Sequence, residues 1–246
     1  MIGDVVDRKV DLKNPDIEIF VEVRNDDCYI YTEKISGPGG LPIGTAGTIL
    51  CLLSGGIDSA VAAWMMMKRG CKIVFFHAKM SDNENMAVRK IVKKLQEWHI
   101  GYEIKVYTYD HAEILKTFNE NFYRHTCILC KRMIYRAGNI IAKKLKIKAM
   151  VTGEALGQVA SQTLDNLTVL DQASDILIFR PLIGMDKIDI IKIAENLGTF
   201  QISSDHKENC WAWPTKPKTK SKIEDVLEFE KEIDKEIKKS LGSIQV

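Results

Sequence analysis

From residue 46 onward the sequence alternates short apolar segments with longer amphipathic ones, and this alternation constrains the fold more than any other feature. The short segments are rich in β-branched and aromatic residues, as buried strands are, while the longer segments have helical periodicity. Strands that alternate with helices form parallel βαβ units, so the pattern predicts an α/β fold with a doubly wound parallel sheet. The predicted strands are residues 48–53, 72–77, 102–109, 147–153 and 176–179, and the predicted helices are residues 58–69, 84–97, 111–124, 129–145 and 186–197.

Different patterns flank this region. Residues 17–24 and 28–33 alternate apolar and polar side chains around a short polar turn, which predicts a β-hairpin. A segment rich in glycine and proline, residues 36–47, predicts a linker. Near the other end, residues 223–239 alternate in charge and predict a single solvated helix. We therefore divide the chain into an N-terminal hairpin segment (1–40), an α/β domain (46–222) and a charged C-terminal helix (223–246).

The charge distribution is uneven, although the net charge of the 246 residues is only +2. Residues 1–45 hold nine acidic and five basic side chains, whereas residues 121–148 hold eight basic ones and no acid. Residues 214–222 add four lysines. Such blocks are either solvated surfaces or binding sites for a polyanion. The chain lacks both a long apolar run and the apolar core of a signal peptide, which favours a cytoplasmic protein without a membrane partner.

The segment LLSGGIDSAVAAW, residues 52–64, joins the first predicted strand to the first predicted helix. Its two glycines allow close approach of an anion, Ser54 and Ser59 offer hydroxyls, and the helix offers free N–H groups. These features predict a phosphate-binding loop, although a polar-capped turn has a similar composition. The spacing matches neither G-x-x-x-x-G-K-[ST] nor G-x-G-x-x-G, which excludes those two classes. Ligands bind beyond the carboxyl ends of parallel strands, which places residues 77–80 and 153–162 beside this loop.

Cys127 and Cys130 form a C-x-x-C pair, and Cys210 follows far along the chain. Two thiolates at this spacing can share a metal centre, and a distant cysteine could supply a third ligand. One alternative to a metal centre is that the C-x-x-C spacing is accidental and has no function. A zinc site is the second alternative. Zinc usually takes four ligands, and the only candidate for the fourth ligand nearby in the sequence is His125.

The peptide SGGIDS, residues 54–59, matches the S-G-G-x-D-S signature of the PP-loop ATP pyrophosphatases, which bind the β,γ-diphosphate of ATP and release pyrophosphate. The segments GPGGLPIGTAG, AAWMMMKRG, TGEALGQVASQT and RPLIGMDK resemble the ThiI-type tRNA 4-thiouridine synthetases, so that the likeness covers about residues 36–222. The resemblance implies a PP-loop, adenine nucleotide α-hydrolase-like fold. It also implies an ATP-dependent tRNA sulfurtransferase that adenylates a uracil carbonyl, at tRNA position 8, and displaces AMP with sulfur.

The same resemblance assigns roles to residues at the carboxyl edge of the predicted sheet. Asp58 is expected near Mg²⁺ or the reacting centre and Lys187 near the phosphates, and Cys210 completes the implied catalytic set. Lys131 stands where bacterial members carry arginine. The implied ATP-binding residues are Leu52, Leu53, Ser54, Gly55, Gly56, Asp58, Ser59, His77, Ala78, Lys131, Gly153 and Gln162.

For the cysteines, the resemblance to the archaeal branch implies that Cys127, Cys130 and Cys210 hold a 4Fe-4S cluster. Three protein ligands would leave one iron open to bind sulfide. In bacterial members the cysteine that matches Cys210 is a catalytic thiol, so a persulfide carrier at this position is the competing role. The sulfur donor is accordingly either inorganic sulfide or a persulfide carrier.

The chain departs from a typical member at both ends. Only about 35 residues precede the α/β region, and no rhodanese domain follows it, so we interpret residues 1–40 as the remnant of a THUMP-like domain. The alternatives are a PP-loop ligase for a small molecule and a non-catalytic RNA-binding remnant, and a homodimer is left open. The basic blocks are then expected to bind tRNA through Arg132, Arg136, Lys143, Lys144, Lys216, Lys218 and Lys220.

Overall fold

The computed structural model describes residues 10–205 and 210–244, and the described residues fall into two compact units that divide between Gly39 and Gly40. Small parts of all three expected segments lie outside the described residues. They are residues 1–9 of the hairpin segment, residues 206–209 of the α/β domain, and residues 245 and 246 of the C-terminal helix.

The first unit contains the predicted antiparallel hairpin. Strand β1 (Phe20–Arg24) pairs with β2 (Asp27–Tyr31), and Asn25 in the turn has a positive φ of 52°. Phe20 and Tyr31 lie opposite each other and stack, with ring centroids 5.2 Å apart. The Nζ of Lys34 lies 3.6 Å from the centroid of the Phe20 ring. Cross-strand aromatic pairs of this kind stabilise two-stranded sheets.

The second unit contains a five-stranded sheet and its helices. Two 3₁₀ turns, Tyr123–His125 and Ala160–Gln162, accompany them. In chain order the elements are β3 (Thr48–Leu52), α1 (Ile57–Lys68), β4 (Lys72–Lys79), α2 (Asp82–Gln96), β5 (Lys105–Asp110), α3 (Ala112–Asn121), α4 (Thr126–Leu145), β6 (Ala149–Val151), α5 (Leu164–Asp171), β7 (Leu177–Phe179), α6 (Lys187–Leu197), α7 (Phe200–Asp205), α8 (Ile223–Glu232) and α9 (Asp234–Gly242).

The five strands are parallel in the order β5-β4-β3-β6-β7, which confirms the doubly wound α/β prediction. The chain builds outward from β3 through β4 to β5 and then crosses to β6 on the other side of β3. The strand order therefore reverses between β3 and β6. In sheets of this kind a crevice for ligands opens at that point, beyond the carboxyl ends of the two strands.

Side chains of β3 alternate between the two cores of this unit. Ile49 and Cys51 are buried on one face with apolar residues of α1, α2 and α6. Leu50 is buried on the other face with residues of α3, α4 and α5. Because both faces are covered by helices, the strand is almost continuously apolar, as expected for a parallel strand.

The C-terminal region differs from the single solvated helix that the charge pattern predicted. It forms two helices, and Val226, Ile233 and Ile237 are buried in the same core as α3 and α4. The charges alternate on the outer faces and obscure a sparse apolar stripe at helical spacing. In the part of the chain that the structure describes, no helix is long and apolar enough to cross a membrane.

Candidate active site

The loop between β3 and α1 is folded around its own two serines. The hydroxyls of Ser54 and Ser59 lie 3.1 Å apart, and the backbone N–H of Gly56 donates to Ser54 Oγ at 3.3 Å. The backbone N–H of Ser54 donates to Ser59 Oγ at 3.2 Å. Helix α1 then begins at Ile57, and its first N–H groups have no partner within the helix. A helix N-terminus preceded by glycines and hydroxyls is a ready site for phosphate.

Gly153, just after β6, lies directly against this loop. A Cβ atom at Gly153 would lie 2.7 Å from the backbone carbon of Asp58 and 2.7 Å from the nitrogen of Ser59. Both neighbours belong to the first turn of α1, so a larger residue would have to displace that turn. Glycine is therefore required here for close approach between the β6 edge and the phosphate-binding loop.

Asp58 and Lys187, two of the residues expected to be catalytic, form an ion pair in the structure. The Oδ1 of Asp58 lies 2.5 Å from the Nζ of Lys187, the first residue of α6. The other carboxylate oxygen of Asp58 accepts a hydrogen bond of 2.8 Å from Gln158 Nε2. Two other segments of the chain thus contact the carboxylate beside the loop.

Most of the expected ATP-binding residues line a single cavity of about 240 Å³ at this edge. The cavity lies between the ends of β3, β4 and β6, where the strand order reverses. Ten of the twelve expected residues contribute to its lining: Leu52, Leu53, Ser54, Gly56, Asp58, Ser59, Ala78, Lys131, Gly153 and Gln162.

Gly55 and His77 are the two expected residues that do not appear in the cavity lining. His77 is buried, and its Nδ1 lies 3.0 Å from the carbonyl oxygen of Leu53. Burial lowers the pKa of His77, so the ring is neutral at pH 7. The histidine ring therefore contacts the backbone at the end of β3.

Glu154 is the principal cavity residue that the sequence reasoning missed. It is buried and accepts hydrogen bonds from Lys131 at 3.0 Å, Arg180 at 2.7 Å, Tyr135 at 2.8 Å and Thr152 at 3.0 Å. Burial alone would raise the pKa of Glu154, but Lys131 and Arg180 outweigh it and bring the pKa to about 2. The carboxylate stays ionised and holds both cations. The only sequence signal for Glu154 was an acidic residue placed just after a predicted strand.

Six other residues that were not predicted also line the cavity: Phe76, Met80, Glu84, Ile134, Tyr135 and Thr152.

Cys127, Cys130 and Cys210 lie close enough together for the charge of Cys210 to influence the pKa of the other two. Burial raises the pKa of Cys127 to about 11, and the charge of Cys210 adds to the effect. Burial also raises the pKa of Cys130, with further contributions from Cys210 and Cys127. Burial is also the main cause of the raised pKa of Cys210, and Glu84 makes a smaller contribution to the raised pKa of both Cys130 and Cys210. Glu84 lines the cavity, as does Lys131, which lowers the pKa of Cys127 and Cys130, so each of the three thiols lies near a residue of the expected nucleotide site.

The thiols do not form an assembled ligand set. Within residues 10–205 and 210–244, no three His, Cys, Asp or Glu side chains are arranged to hold a metal ion. Next to Cys130 lies buried His111, whose Nε2 is 3.2 Å from the cysteine sulfur. Burial lowers the pKa of His111 to about 4, so the imidazole is neutral at pH 7. The expected 4Fe-4S cluster therefore stays a prediction.

Both arginines that were expected to bind tRNA are paired with Glu230. Arg132 is buried, donates to both carboxylate oxygens of Glu230 at 2.8 and 3.0 Å, and donates to the carbonyl oxygen of Val169. Arg136 lies 2.5 Å from the same carboxylate. The tRNA-binding prediction is wrong for Arg132, because the side chain is inaccessible and joins α4 to α8. Arg136 is half-buried, and Glu230 neutralises much of its charge.

The remaining expected cations lie at opposite edges of the sheet. Lys146 and Lys148 line a cavity at the amino ends of the strands, so Lys143 and Lys144 at the end of α4 lie near that edge. Lys131 lies at the carboxyl edge, roughly 20 Å away along the helix at 1.5 Å per residue. Lys216, Lys218 and Lys220 lie in the segment that runs alongside Arg124, since the backbone N–H of Lys218 donates to the Arg124 carbonyl at 2.9 Å.

The strand order, the glycine-rich loop and the cavity at the switch point define a nucleotide-binding α/β domain of the PP-loop class. The family "Thiamine biosynthesis protein (ThiI)" matches residues 44–235, and the THUMP domain matches residues 1–33. The chain belongs to the ThiI family. Both the family resemblance and the PP-loop fold prediction are thereby confirmed.

Archaeal relatives support this assignment. The "Probable tRNA sulfurtransferase" of Methanocaldococcus jannaschii is 47% identical over 234 residues, which are 92% of this chain and 61% of the relative. The "tRNA sulfurtransferase" of Pyrobaculum aerophilum is 39% identical over 220 residues, 89% of this chain and 46% of the relative. The chain thus spans 46% to 61% of the length of these two curated relatives.

A solved structure has the same fold over nearly the whole chain. It is the crystal structure of a 4-thiouridine synthetase–RNA complex with bound ATP. The two share 32% sequence identity and superpose with a TM-score of 0.87, covering 96% of this chain and 64% of the other.

Proposed function

We propose that this chain is part of an ATP-dependent tRNA sulfurtransferase that converts a uridine, at tRNA position 8, into 4-thiouridine. The single observation that carries the proposal is the Asp58–Lys187 pair at the phosphate-binding loop, at the mouth of a cavity with three thiols beside it. The named relatives and the structural neighbour with RNA and ATP support this assignment. A tRNA substrate would place the reaction in the cytoplasm.

In the first half-reaction the uracil carbonyl oxygen would attack the α-phosphorus of ATP. The bond to the β-phosphate breaks, and pyrophosphate leaves with the electron pair. The N–H groups at the start of α1, the hydroxyls of Ser54 and Ser59, and Lys187 would stabilise the charge that develops on the leaving diphosphate. Preorganised donors of this kind stabilise the transition state because they need no rearrangement when the charge appears.

The carboxylate of Asp58 would hold Mg²⁺, which would supply charge neutralisation for the diphosphate. Carboxylate oxygens are ligands that Mg²⁺ prefers, and those of Asp58 lie beside the loop, where they contact Lys187 and the side-chain amide of Gln158. Lys131, held by Glu154, would contact ATP from the opposite wall of the cavity.

In the second half-reaction a sulfur nucleophile would attack the activated carbon, and AMP would leave with the oxygen. We propose that Cys127, Cys130 and Cys210 hold a 4Fe-4S cluster, whose open iron would supply a binding position for sulfide. The chemistry of the three side chains fits, because cysteine thiolates are the usual ligands of such a cluster. They are not assembled into a ligand set among the described residues, so binding the cluster would have to draw them together. The competing proposal is that Cys210 carries a persulfide.

Iron analysis separates these two proposals. Anaerobically reconstituted protein should contain about four irons per chain with broad visible absorbance, and Cys127→Ala should lose both. Full thiolation by iron-free protein would instead favour the persulfide on Cys210.

We further propose that residues 1–40 belong to a THUMP-like RNA-binding domain and residues 46–222 to the catalytic domain, which the matched ranges support. The whole proposal is tested by incubating the protein with ATP, sulfide and a tRNA transcript, followed by mass spectrometry of the nucleosides. We expect 4-thiouridine in the tRNA. AMP formation without tRNA would favour a ligase for a small molecule, and no turnover in reconstituted protein would favour an RNA-binding remnant.

A further inference from the structure

The turn that follows Cys210 exposes two tryptophans. Trp211 is 55% exposed and Trp213 is 49% exposed, while Ala212 between them is buried. The other two tryptophans, Trp64 and Trp98, are half-buried and pack edge to face with ring centroids 6.0 Å apart. Burying an aromatic side chain of this size is strongly favourable, so an adjacent exposed pair suggests a binding surface.

The exposed tryptophans are held on an anchored segment. The backbone N–H of Trp213 donates to the carbonyl of Cys210 at 3.0 Å, which closes a turn. The Nδ2 of Asn119 donates to the Ala212 carbonyl at 3.0 Å, and the N–H of Thr215 donates to the Tyr123 hydroxyl at 3.0 Å. Contacts from α3 and the following 3₁₀ turn thus fix the segment before any ligand binds. A preorganised surface loses less conformational entropy on binding.

The surroundings of the tryptophans are positively charged. No acidic residue occurs between Cys210 and Lys222, whereas this segment contains four lysines. Arg124 lies against it and donates from Nε to the Lys216 carbonyl at 3.3 Å. Burial lowers the pKa of neighbouring His125, Lys218 and Arg124 lower it further, and Asp225 acts in the opposite direction. Together with Tyr123, which is 42% exposed, this surface interleaves aromatic rings with cations.

The surface lies beside the expected reaction site. Asn166 Nδ2 donates to the carbonyl of Lys218 at 2.9 Å and to the carbonyl of Ala160 at 2.7 Å, and Gln162, two residues after Ala160, lines the nucleotide cavity. An RNA base that enters the cavity would therefore pass next to these tryptophans.

We propose that Trp211 and Trp213 form a stacking platform for unpaired RNA bases that flank the reacting uridine, while Arg124, Lys216 and Lys220 bind the adjoining phosphates. The inference rests on the proposed function. A uridine must leave its stack before its carbonyl can reach ATP, which costs free energy. Stacking of neighbouring bases on aromatic side chains recovers part of that cost and tolerates any base. The cations without intervening acids favour RNA over a protein partner, because they match a polyanion.

The test compares Trp211→Leu/Trp213→Leu with Trp211→Phe/Trp213→Phe in the full chain. Ile100→Ala is the matched control, since Ile100 is also exposed but lies in the loop before β5. The probes are a tRNA transcript and a fully paired RNA duplex of similar length. The readouts are RNA affinity, quenching of tryptophan fluorescence by RNA, ATP affinity, and AMP formation.

For the leucine variant we expect tRNA affinity to fall about tenfold or more and the quenching to disappear. Duplex affinity and ATP affinity should stay within about twofold of the unmodified chain. The phenylalanine variant should retain most of the tRNA affinity, because its rings still stack, and the Ile100 control should change nothing.

Unchanged tRNA affinity in the leucine variant, an equal loss with the duplex, or no rescue by phenylalanine would overturn the platform. Normal RNA binding with slower sulfur transfer from a carrier protein would also overturn it and indicate a protein-docking surface. Failure of the unmodified chain to form AMP with tRNA would refute the proposed function instead. Affinity and quenching still test the platform in that case.

Discussion

The Nζ of Lys187 lies 2.5 Å from the carboxylate of Asp58, although 129 residues separate the two in the chain. The pair joins the start of α6 to the first turn of α1 across the mouth of the nucleotide cavity. Both side chains remain partly exposed, with relative exposures of 40% for Lys187 and 20% for Asp58. A partly solvated ion pair contributes little to stability, so its position beside the phosphate-binding loop is better explained by function.

Replacing either member of this pair should impair adenylation and leave the fold intact. We expect Asp58→Asn and Lys187→Gln each to slow tRNA-dependent AMP formation about 10²- to 10³-fold, because each removes a group that stabilises developing charge. The double variant should lose less than the product of the two losses, since the residues act together. The exposed pair Asp189–Lys192 provides the control: Lys192→Gln should retain full activity. Near-normal turnover of either site variant would remove that residue from the mechanism.

Gly153→Ala should weaken ATP binding by displacing the first turn of α1. The added methyl group would lie 2.7 Å from the backbone of Asp58 and Ser59, far inside contact distance. We expect both a lower melting temperature and a reduced ATP affinity. Gly242→Ala is the control, because its added methyl group would have no neighbour within 4 Å among the described residues, and it should be neutral. Unchanged ATP affinity in Gly153→Ala would show that the loop tolerates the displacement.

Glu154 should make stability depend on pH in the acid range. Its pKa is about 2 in the folded protein against an ordinary value of 4.5, so the unfolded chain binds the proton first. The stabilisation is therefore complete above about pH 4.5 and is lost as the pH falls towards 2, and it amounts to roughly 3 kcal/mol.

Glu154→Gln should be destabilised at neutral pH and should show a flatter dependence of unfolding free energy on pH between 4.5 and 2. Denaturant titrations at several pH values measure this. The exposed Glu195→Gln serves as control and should keep the slope of the unmodified protein. An unaltered slope in Glu154→Gln would contradict the ion-pair network.

Lysines at the two opposite edges of the sheet should make separate contributions to tRNA binding. Replacing Lys216, Lys218 and Lys220 with glutamine should weaken binding and reduce the salt slope by about one per lysine that contacts a phosphate. Replacing Lys143 and Lys144 tests whether the RNA also reaches the amino edge. Filter binding at 50 to 200 mM salt provides the slopes.

Arg132→Gln is the informative contrast for these variants. It leaves the buried Glu230 carboxylate with the half-buried Arg136 as its remaining cation, so stability should fall by roughly 1–3 kcal/mol while the salt slope stays unchanged. If Arg132→Gln lowers the salt slope of the folded protein, Arg132 does reach the RNA.

The sequence alone was enough to predict those features that depend on residues close together in the chain. Buried parallel strands are continuous apolar segments, so β3 and β4 were predicted to within two residues of their bounds. The SGGIDS loop identified the carboxyl edge, and ten of the twelve expected nucleotide-binding residues line one cavity there.

Prediction failed where a distant partner decides the role of a side chain. Arg132 looked like part of a basic surface, but Glu230, 98 residues away, holds it in the core. Glu154 was overlooked because its importance depends on Lys131 and Arg180 meeting it in space. The 121–148 block appeared continuous in sequence, yet α4 carries its two ends to opposite edges of the sheet.

The fate of ATP in the presence of tRNA tests the central claim most directly. ATP labelled at the α- and γ-phosphates, incubated with the protein with and without tRNA, distinguishes the two ways of cleaving the triphosphate. Because the loop is expected to grip the β,γ-diphosphate, we predict AMP and pyrophosphate in equal amounts, formed only when tRNA is present. Detection of ADP and orthophosphate as the products would contradict the account.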